Sequence, residues 1–311
     1  MTIHARDVKR WAAELEFLAC GITLPAPSAR GAALDDWLAR GYGGTMRYLH
    51  RQAKKRKDPR LIDPEARSVV VVLENYYYPD PTDRPAVPKV ARYARGRDYH
   101  AVMQGRLGHL ADRLLHAGAR LARVYADAGP VPERDLAERA GLGWIGKNTM
   151  LIRPGSGSFF FIGSIFTDLE LEPDAPFATD HCGTCTRCLD ACPTDAFVSP
   201  RVLDATRCIS YLTIEQKGPI PDELAPRLDG WVFGCDVCNE VCPWNVRFAA
   251  ESPIEAYRPR AEARLDDETF ERMDEAGFAR RFGDSPFARP GLAGMRRNLR
   301  AVRRPVTTSD Q

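Results

Sequence analysis

Residues 182–193 read CGTCTRCLDACP and residues 235–243 read CDVCNEVCP, and these two runs decide how the rest of the 311-residue chain is read. The first places Cys182, Cys185, Cys188 and Cys192 at x2, x2, x3 spacing with Pro193 directly behind, which is the ligand run of bacterial ferredoxins. The second repeats only the end of that pattern, as Cys235, Cys238, Cys242 and Pro243. The cysteine expected three residues before Cys235 is missing, and Cys208, alone upstream, reads as the displaced fourth ligand. Thiolates at x2 spacing point from one tight loop at a single centre, while the fourth cysteine of each run reaches the neighbouring cluster. Crossed ligation is therefore expected: Cys182, Cys185, Cys188 and Cys242 on one 4Fe–4S cluster, and Cys192, Cys208, Cys235 and Cys238 on a second.

Two plainer readings fit less well. Paired Cys-x-x-Cys motifs suit structural zinc, but zinc explains neither the third cysteine of the run nor the two Cys-Pro endings. Disulfides belong to secreted proteins, and MTIHARDVKRWAAELEF lacks an apolar segment and a small-residue cleavage site. The longest apolar runs, SVVVVL and FFFIGSIF, are too short to span a bilayer, so a soluble, cytoplasmic chain is expected, and iron-bound thiolates suit that reducing compartment. A formal charge of +2 gives no basis for nucleic-acid binding, which must rest on local runs. The ninth cysteine, Cys20, reads as a small buried hydrophobe, with a reactive thiol as the alternative.

Working outward, residues 6–19 carry Val8, Trp11, Leu15 and Leu18 at helical spacing, GITL follows as a short strand, and ALDDWLARG is a helix ending at Gly41. RYLHRQAKKRKDPR sets Arg47, Arg51, Lys54, Lys55, Arg56, Lys57 and Arg60 against one acid, Asp58. That run is either a solvated helix face or a surface for a phosphate-bearing partner. SVVVVLENYY reads as a strand buried on both faces, PDPTDRPAVP as a loop, and RVYADAGP and SFFFIGSIFTDLEL as further strands. ARYARGRDYH precedes a helix with Val102, Leu107, Leu110, Leu114 and Leu115 on its apolar stripe; the cluster is a binding edge, or Asp98 is simply an N-cap. Gly141, Gly143 and Gly146 spell two phosphate-loop patterns, yet a helical pattern precedes them and an extended one follows, the reverse of what a phosphate site needs. Their use is a tight turn and close backbone approach. Beyond Pro243 the chain turns charged and helical, with Arg289, Arg296, Arg297, Arg300, Arg303 and Arg304 before a frayed PVTTSDQ tail.

The expected fold class is α+β. An α/β-patterned domain with a mixed sheet spans 1–175, a bacterial ferredoxin-like domain 176–250, and a short helical region 251–311. Paired clusters move single electrons, so the first domain, too long for a simple ferredoxin, houses their acceptor.

ARYARGRDYH, DAGPVPERDLAERAGLGWIGKNTMLI, GSFFFIG, CGTCTRCLDACPTDA, RCISYLTIE and FGCDVCNEVCPWN, in this order, resemble the epoxyqueuosine reductase family over nearly residues 1–300. The displaced Cys208 within RCISYLTIE is part of that family pattern. The resemblance implies a cobalamin held without a protein ligand to cobalt, two 4Fe–4S clusters, and reduction of an epoxide on the modified wobble base of tRNA to an alkene. It makes residues 1–175 the cobalamin-binding and catalytic domain, and puts Asp127 at the proton-donor position. Glu133 is the second candidate, and Asp127 as a plain turn or N-cap residue is the alternative. It further implies corrin contacts from Arg56, Arg97, Tyr99, Lys147 and Asn148, with Ser210, Cys235 and Asp236 between the corrin and the nearer cluster. Partners would be a tRNA anticodon stem-loop and an unidentified electron donor, with no membrane, and the chain would be a monomer. The 47–60 run, Lys217 and the C-terminal arginines are candidates for phosphate contacts. Longer family members continue into a C-terminal helical-repeat region that this sequence does not include, which puts affinity for the anticodon stem in doubt, not the redox step. A corrinoid reductase of a small molecule, as in reductive dehalogenation, an electron-transfer module and a zinc-stabilised RNA-binding protein are the rival readings.

Overall fold

Val69 to Leu73 are completely buried, which happens only when a strand is covered on both faces. The computed structural model, which describes residues 3–80, 88–260 and 267–303, supplies both covers. Strands β1 (Ala19–Thr23), β2 (Ser68–Asn75), β4 (Ala122–Ala126) and β7 (Phe160–Thr167) form a sheet of order β1-β2-β7-β4. Side chains alternate along β2, so Val70 and Val72 meet helices α1 (Ala5–Glu14) and α4 (Tyr99–His116). Val69, Val71 and Leu73 face the other way, onto Leu136 and Ala137 of α5 (Glu133–Arg139). Two helices, α2 (Gly31–Ala39) and α3 (Arg47–Lys57), fill the connection between β1 and β2.

The expectation of a mixed sheet is corrected: every neighbouring pair in this sheet is antiparallel. A continuous apolar run reports burial on both faces and carries no information about strand direction. The first helix also stops earlier than its apolar spacing suggests. Glu16 turns left-handed at φ 59°, and Leu18, expected on the buried stripe, is 38 % exposed. Asp98 does cap α4, accepting from the His100 amide at 3.0 Å. Cys20 packs at the margin of the first core, and burial raises its thiol to about 12.

The glycine-rich segment follows helix α5 and enters a small hairpin, β5 (Trp144–Ile145) and β6 (Leu151–Ile152). A Cβ on Gly143 would sit 2.2 Å from the Ile152 carbonyl oxygen, so the glycine serves close strand approach. The cysteine-bearing segment is built of short pieces: α6 (Arg187–Asp190), β8 (Phe197–Ser199), β9 (Val202–Leu203), α7 (Ile209–Ile214), β10 (Trp231–Phe233), α8 (Val237–Glu240) and α9 (Pro243–Phe248). Helices α10 (Asp267–Arg272), α11 (Glu275–Phe282) and α12 (Gly291–Val302) complete the chain.

These parts interlock. Strand β3 (Lys89–Val90) pairs in parallel with β10, and Asn298 of α12 donates to the Thr213 and Val232 carbonyls at 2.7 and 2.8 Å. Tyr211 of α7 accepts from the Thr45 amide at 2.8 Å. Contacts thus cross the sequence positions near 175 and 250 in both directions. Most of the expected loop at 79–88, Arg304 and the tail from 305 lie outside the described residues. No helix among the described residues is long and apolar enough to cross a membrane.

Candidate redox site and adjoining cleft

Cys182, Cys185, Cys188 and Cys242 surround one small cavity of about 120 Å³, closed by His181, Pro243 and Trp244. The Trp144 indole N–H donates to Cys182 Sγ at 3.4 Å. Charged neighbours of Cys188 are Cys182, Cys242 and Cys185, whereas those of Cys235 include Cys208 and Cys192. Burial, followed by these neighbouring thiols, pushes the Cys188 thiol up to about 11 and that of Cys235 further. Thiols as buried and crowded as Cys188 and Cys235 are tenable as thiolates beside a compensating metal centre, and the Cys-x-x-Cys-x-x-Cys donor set fits iron–sulfur clusters. Among the described residues no three such side chains converge as ligands of one ion, and the four thiols of the first group instead surround the cavity.

A cleft of about 410 Å³ lies between α2, α3 and the start of α5. Leu34, Trp37, Leu49, Val131 and Ile145 give it apolar walls, and Ser28, Arg30, Arg56, Asp127, Glu133 and Arg134 supply its polar groups. Trp37 also packs into the core that contains Cys208 and Cys235, so this wall backs onto the second group of cysteines. Arg56 donates to the Gly129 and Val131 carbonyls at 3.0 and 3.3 Å, fixing the turn after β4.

That turn presents Asp127 in the left-handed region at φ 47°, where non-glycine residues are uncommon. Its amide donates to Glu133 Oε1 at 2.6 Å, and its carboxylate accepts from the Tyr99 hydroxyl and lies 3.6 Å from His100 Nε2. The side chain is 62 % exposed, but to the interior of the cleft. Enclosure pushes its pKa up; the contacts with His100 and Tyr99 outweigh this and hold it below the usual carboxylate range. Asp127 in turn raises His100. Burial, followed by the Asp127 charge, raises Glu133 to about 8. Two adjacent carboxyls are therefore driven apart, one ionised and one protonated at neutral pH.

Arg134 reaches from α5 to the Thr149 carbonyl at 2.6 Å, and Thr149 is itself left-handed at φ 66°, a rare state for a β-branched residue. In the same turn Lys147 donates to the Gly183 and Cys185 carbonyls at 2.7 and 2.9 Å, and Asn148 to the Cys238 carbonyl at 3.4 Å. One turn thus ties both cysteine loops to the cleft.

Of the residues singled out in the sequence, Arg56, Asp127 and Glu133 line the cleft, and Tyr99 touches it through Asp127. Lys147 and Asn148 line the cavity of the first cysteine group. Ser210 directs its amide and hydroxyl at Cys208. Asp236 is buried, accepting from the Arg92 amide at 2.7 Å, and Arg97 is exposed with its amide on the Ala256 carbonyl at 2.9 Å. His100 was visible only as part of the ARYARGRDYH cluster, and Trp37 and Ser28 carried no signal.

The basic run divides by face. Arg47, Arg51, Lys54 and Lys55 are exposed along α3, whereas Lys57 pairs with Asp35 and Arg60 with Asp58, each at 2.7 Å. Most of the C-terminal arginines are occupied internally. Arg289 pairs with Glu215 at 3.0 Å and Arg300 with Glu271 at 2.8 Å, while Arg296 and Arg297 donate to main-chain carbonyls, including those of Phe270 and Leu212.

Two family models match the chain: "4Fe-4S double cluster binding domain" over residues 181–245 and "Epoxyqueuosine reductase QueG, DUF1730" over residues 56–128. Among curated proteins, the epoxyqueuosine reductase of Leadbetterella byssophila is 42 % identical over 97 % of this chain and 99 % of its own length. That of Xanthomonas campestris is 44 % identical over 96 % of this chain and 86 % of its own. Among solved structures, an epoxyqueuosine reductase with an epoxyqueuosine-modified tRNA-Tyr stem loop superposes with a TM-score of 0.85 at 30 % identity, over 96 % of this chain and 80 % of that one. The Bacillus subtilis epoxyqueuosine reductase, captured with its catalytic aspartate loop swung out of the active site, gives 0.81 at 28 % identity over the same shares.

Proposed function

The chain belongs to the epoxyqueuosine reductase family, and from that premise we propose how its own residues carry out the family reaction. It is an oxidoreductase that reduces the epoxide of epoxyqueuosine in tRNA to the alkene of queuosine. Converting an epoxide to an alkene takes two electrons and two protons and releases the oxygen as water. The chain must therefore deliver electrons singly, supply protons at one oxygen, and hold the base in a dry site.

Cys182, Cys185, Cys188 and Cys242 are assigned to one cluster, and Cys192, Cys208, Cys235 and Cys238 to the other. The cleft is assigned to cobalamin: its apolar walls suit a broad flat ring, and Arg56 and Ser28 are placed to meet peripheral amides. Bound there, cobalamin would supply a low-potential centre able to pass from one-electron donors to a two-electron reduction of carbon.

Asp127 is assigned as the group that protonates the departing oxygen. Its left-handed turn pushes the carboxyl into the cleft, and Tyr99 and His100 fix its direction. A carboxylate held low cannot donate, so enclosure by cofactor and base has to raise it. Glu133, protonated up to about pH 8, is the adjacent store from which Asp127 is recharged. The relative's swung-out aspartate loop fits a turn that moves as the site fills. Exposed Arg47, Arg51, Lys54 and Lys55 are assigned to tRNA phosphates, which set position and not sequence. A base in a loop is already splayed and can reach such a cleft without breaking a stem.

The observation that carries this reading is the Asp127, Glu133, Tyr99 and His100 constellation at a cleft whose far wall is the core around Cys208 and Cys235. Its test is anaerobic turnover of an epoxyqueuosine-bearing stem loop after reconstitution with iron, sulfide and cobalamin, with nucleosides quantified by mass spectrometry. Queuosine should form only with all components present. Equal turnover without cobalamin would refute the assignment of the cleft.

A further inference from the structure

The two cysteine loops differ in how they meet solvent. Gly183, Thr184, Thr186 and Arg187, between the ligands of the first loop, are all exposed. In the second, Gly234, Asp236 and Asn239 are buried. A cluster on the first loop is the one a protein in solution can approach. The surface beside it is built for contact: Val246, on the helix that begins after Cys242, is 71 % exposed, the most exposed of the large hydrophobic residues described. Trp244 and Phe248 stack at 5.6 Å on the same helix, and the Arg247 guanidinium lies 5.1 Å from the Phe248 ring.

The charge there is net positive: Asp180 beside the loop pairs with Arg201, Glu240 before Cys242 pairs with Arg92, and Asp190 accepts from the Thr186 hydroxyl at 2.7 Å. Segments 181–188 and 242–248 contain Arg187 and Arg247, both exposed, and no aspartate or glutamate. Lys147 adds a third positive charge, bound to the loop's own carbonyls. We propose that this rim, with exposed Val246 and Arg247 on the helix after Cys242 and exposed Arg187 on the first ligand loop, is the docking surface for a small acidic one-electron carrier protein that feeds the first cluster. The inference rests on the reading that Cys182, Cys185, Cys188 and Cys242 hold a cluster. One electron passes from the carrier's reduced centre to the cluster, with no covalent bond made or broken. Phosphate recognition would need the positive charges but gains nothing from an exposed valine, which favours a protein over RNA as the occupant.

The test uses the full chain with its iron restored, and two probes: a flavodoxin reduced to its hydroquinone and a reduced plant-type ferredoxin. These separate a flavin carrier from an iron–sulfur one. Cluster reduction is followed by stopped-flow absorbance and electron paramagnetic resonance, at low and high salt. For at least one probe, Arg187→Glu with Arg247→Glu should slow reduction about tenfold at low salt and flatten its salt dependence, and Val246→Asp should weaken complex formation. Reduction by dithionite should not change. Arg247→Glu alone leaves the ligand loop intact and should give part of the effect. Unchanged carrier-driven rates in variants with full iron content, or a loss of stem-loop affinity in place of carrier affinity, would overturn the proposal. Iron missing from the unmutated protein would be a separate failure, of the cluster reading beneath it.

Discussion

The sheet and the first cysteine loop are stabilised by opposite means. Every residue from Ser68 to Leu73 is buried, and each large apolar side chain there contributes on the order of 2 kcal/mol by leaving water. From His181 to Pro193 no residue is buried, and the only helix is the four-residue α6. Short elements without an apolar core hold their shape through cross-links, so here metal binding is folding free energy. The first cysteine loop is therefore expected to depend on iron for its shape, whereas the sheet, and the segment around Leu212 and Phe233 with its own buried core, are not.

The sharpest way to break this comparison is to remove the iron. Anaerobic chelation should leave residues 181–193 exchanging amide protons at near-unfolded rates, while Val69–Leu73 stay protected more than about a thousandfold. Protection retained at 181–193 would show that the loop stands without metal. Cys208→Ser comes next, with iron content falling by about half and turnover lost, because one crossed cluster goes and the other persists. Full iron content in that variant would contradict the quartets.

Within the cleft half the effects are chemical and smaller. Asp127→Asn should keep cluster absorbance and the fold yet lower alkene formation at least about a hundredfold, the usual scale for a general acid. Undiminished turnover would remove Asp127 from the reaction. Charge reversal at Lys54 and Lys55 should raise KM about tenfold at low salt with kcat unchanged, and the difference should shrink as salt rises. The smallest effect is on pH dependence. A carboxyl raised to about 8 carries its proton below that value and loses it above, so turnover should decline a few-fold as pH passes 8. Glu133→Gln should abolish that decline; a decline that survives the substitution belongs to another group.

How much could be read without coordinates follows from the range of each interaction. The cysteine runs were legible because ligand spacing is local, and a missing cysteine at one position sends the eye to Cys208. Strand β2 was legible as a doubly buried strand, yet its antiparallel neighbours were not, since burial has no direction. The basic run 47–60 was visible as charge. That Arg56 turns inward to the Gly129 and Val131 carbonyls while Lys54 and Lys55 stay in solvent depends on where α3 packs. The arginines near the C-terminus looked like free cations and are mostly held by Glu215, Glu271 and helix-end carbonyls.

By itself the sequence determined the family and singled out the eight cysteines and Asp127 as candidates, because each is carried by residues close together in the chain or by motifs whose chemistry is fixed. Only the tertiary structure decided that Tyr99, His100, Asp127 and Glu133 form one electrostatic unit, with one carboxyl lowered and the other raised. The reason is physical: a pKa depends on burial and on charges within a few ångströms, and those neighbours come from different elements that meet only when the chain folds.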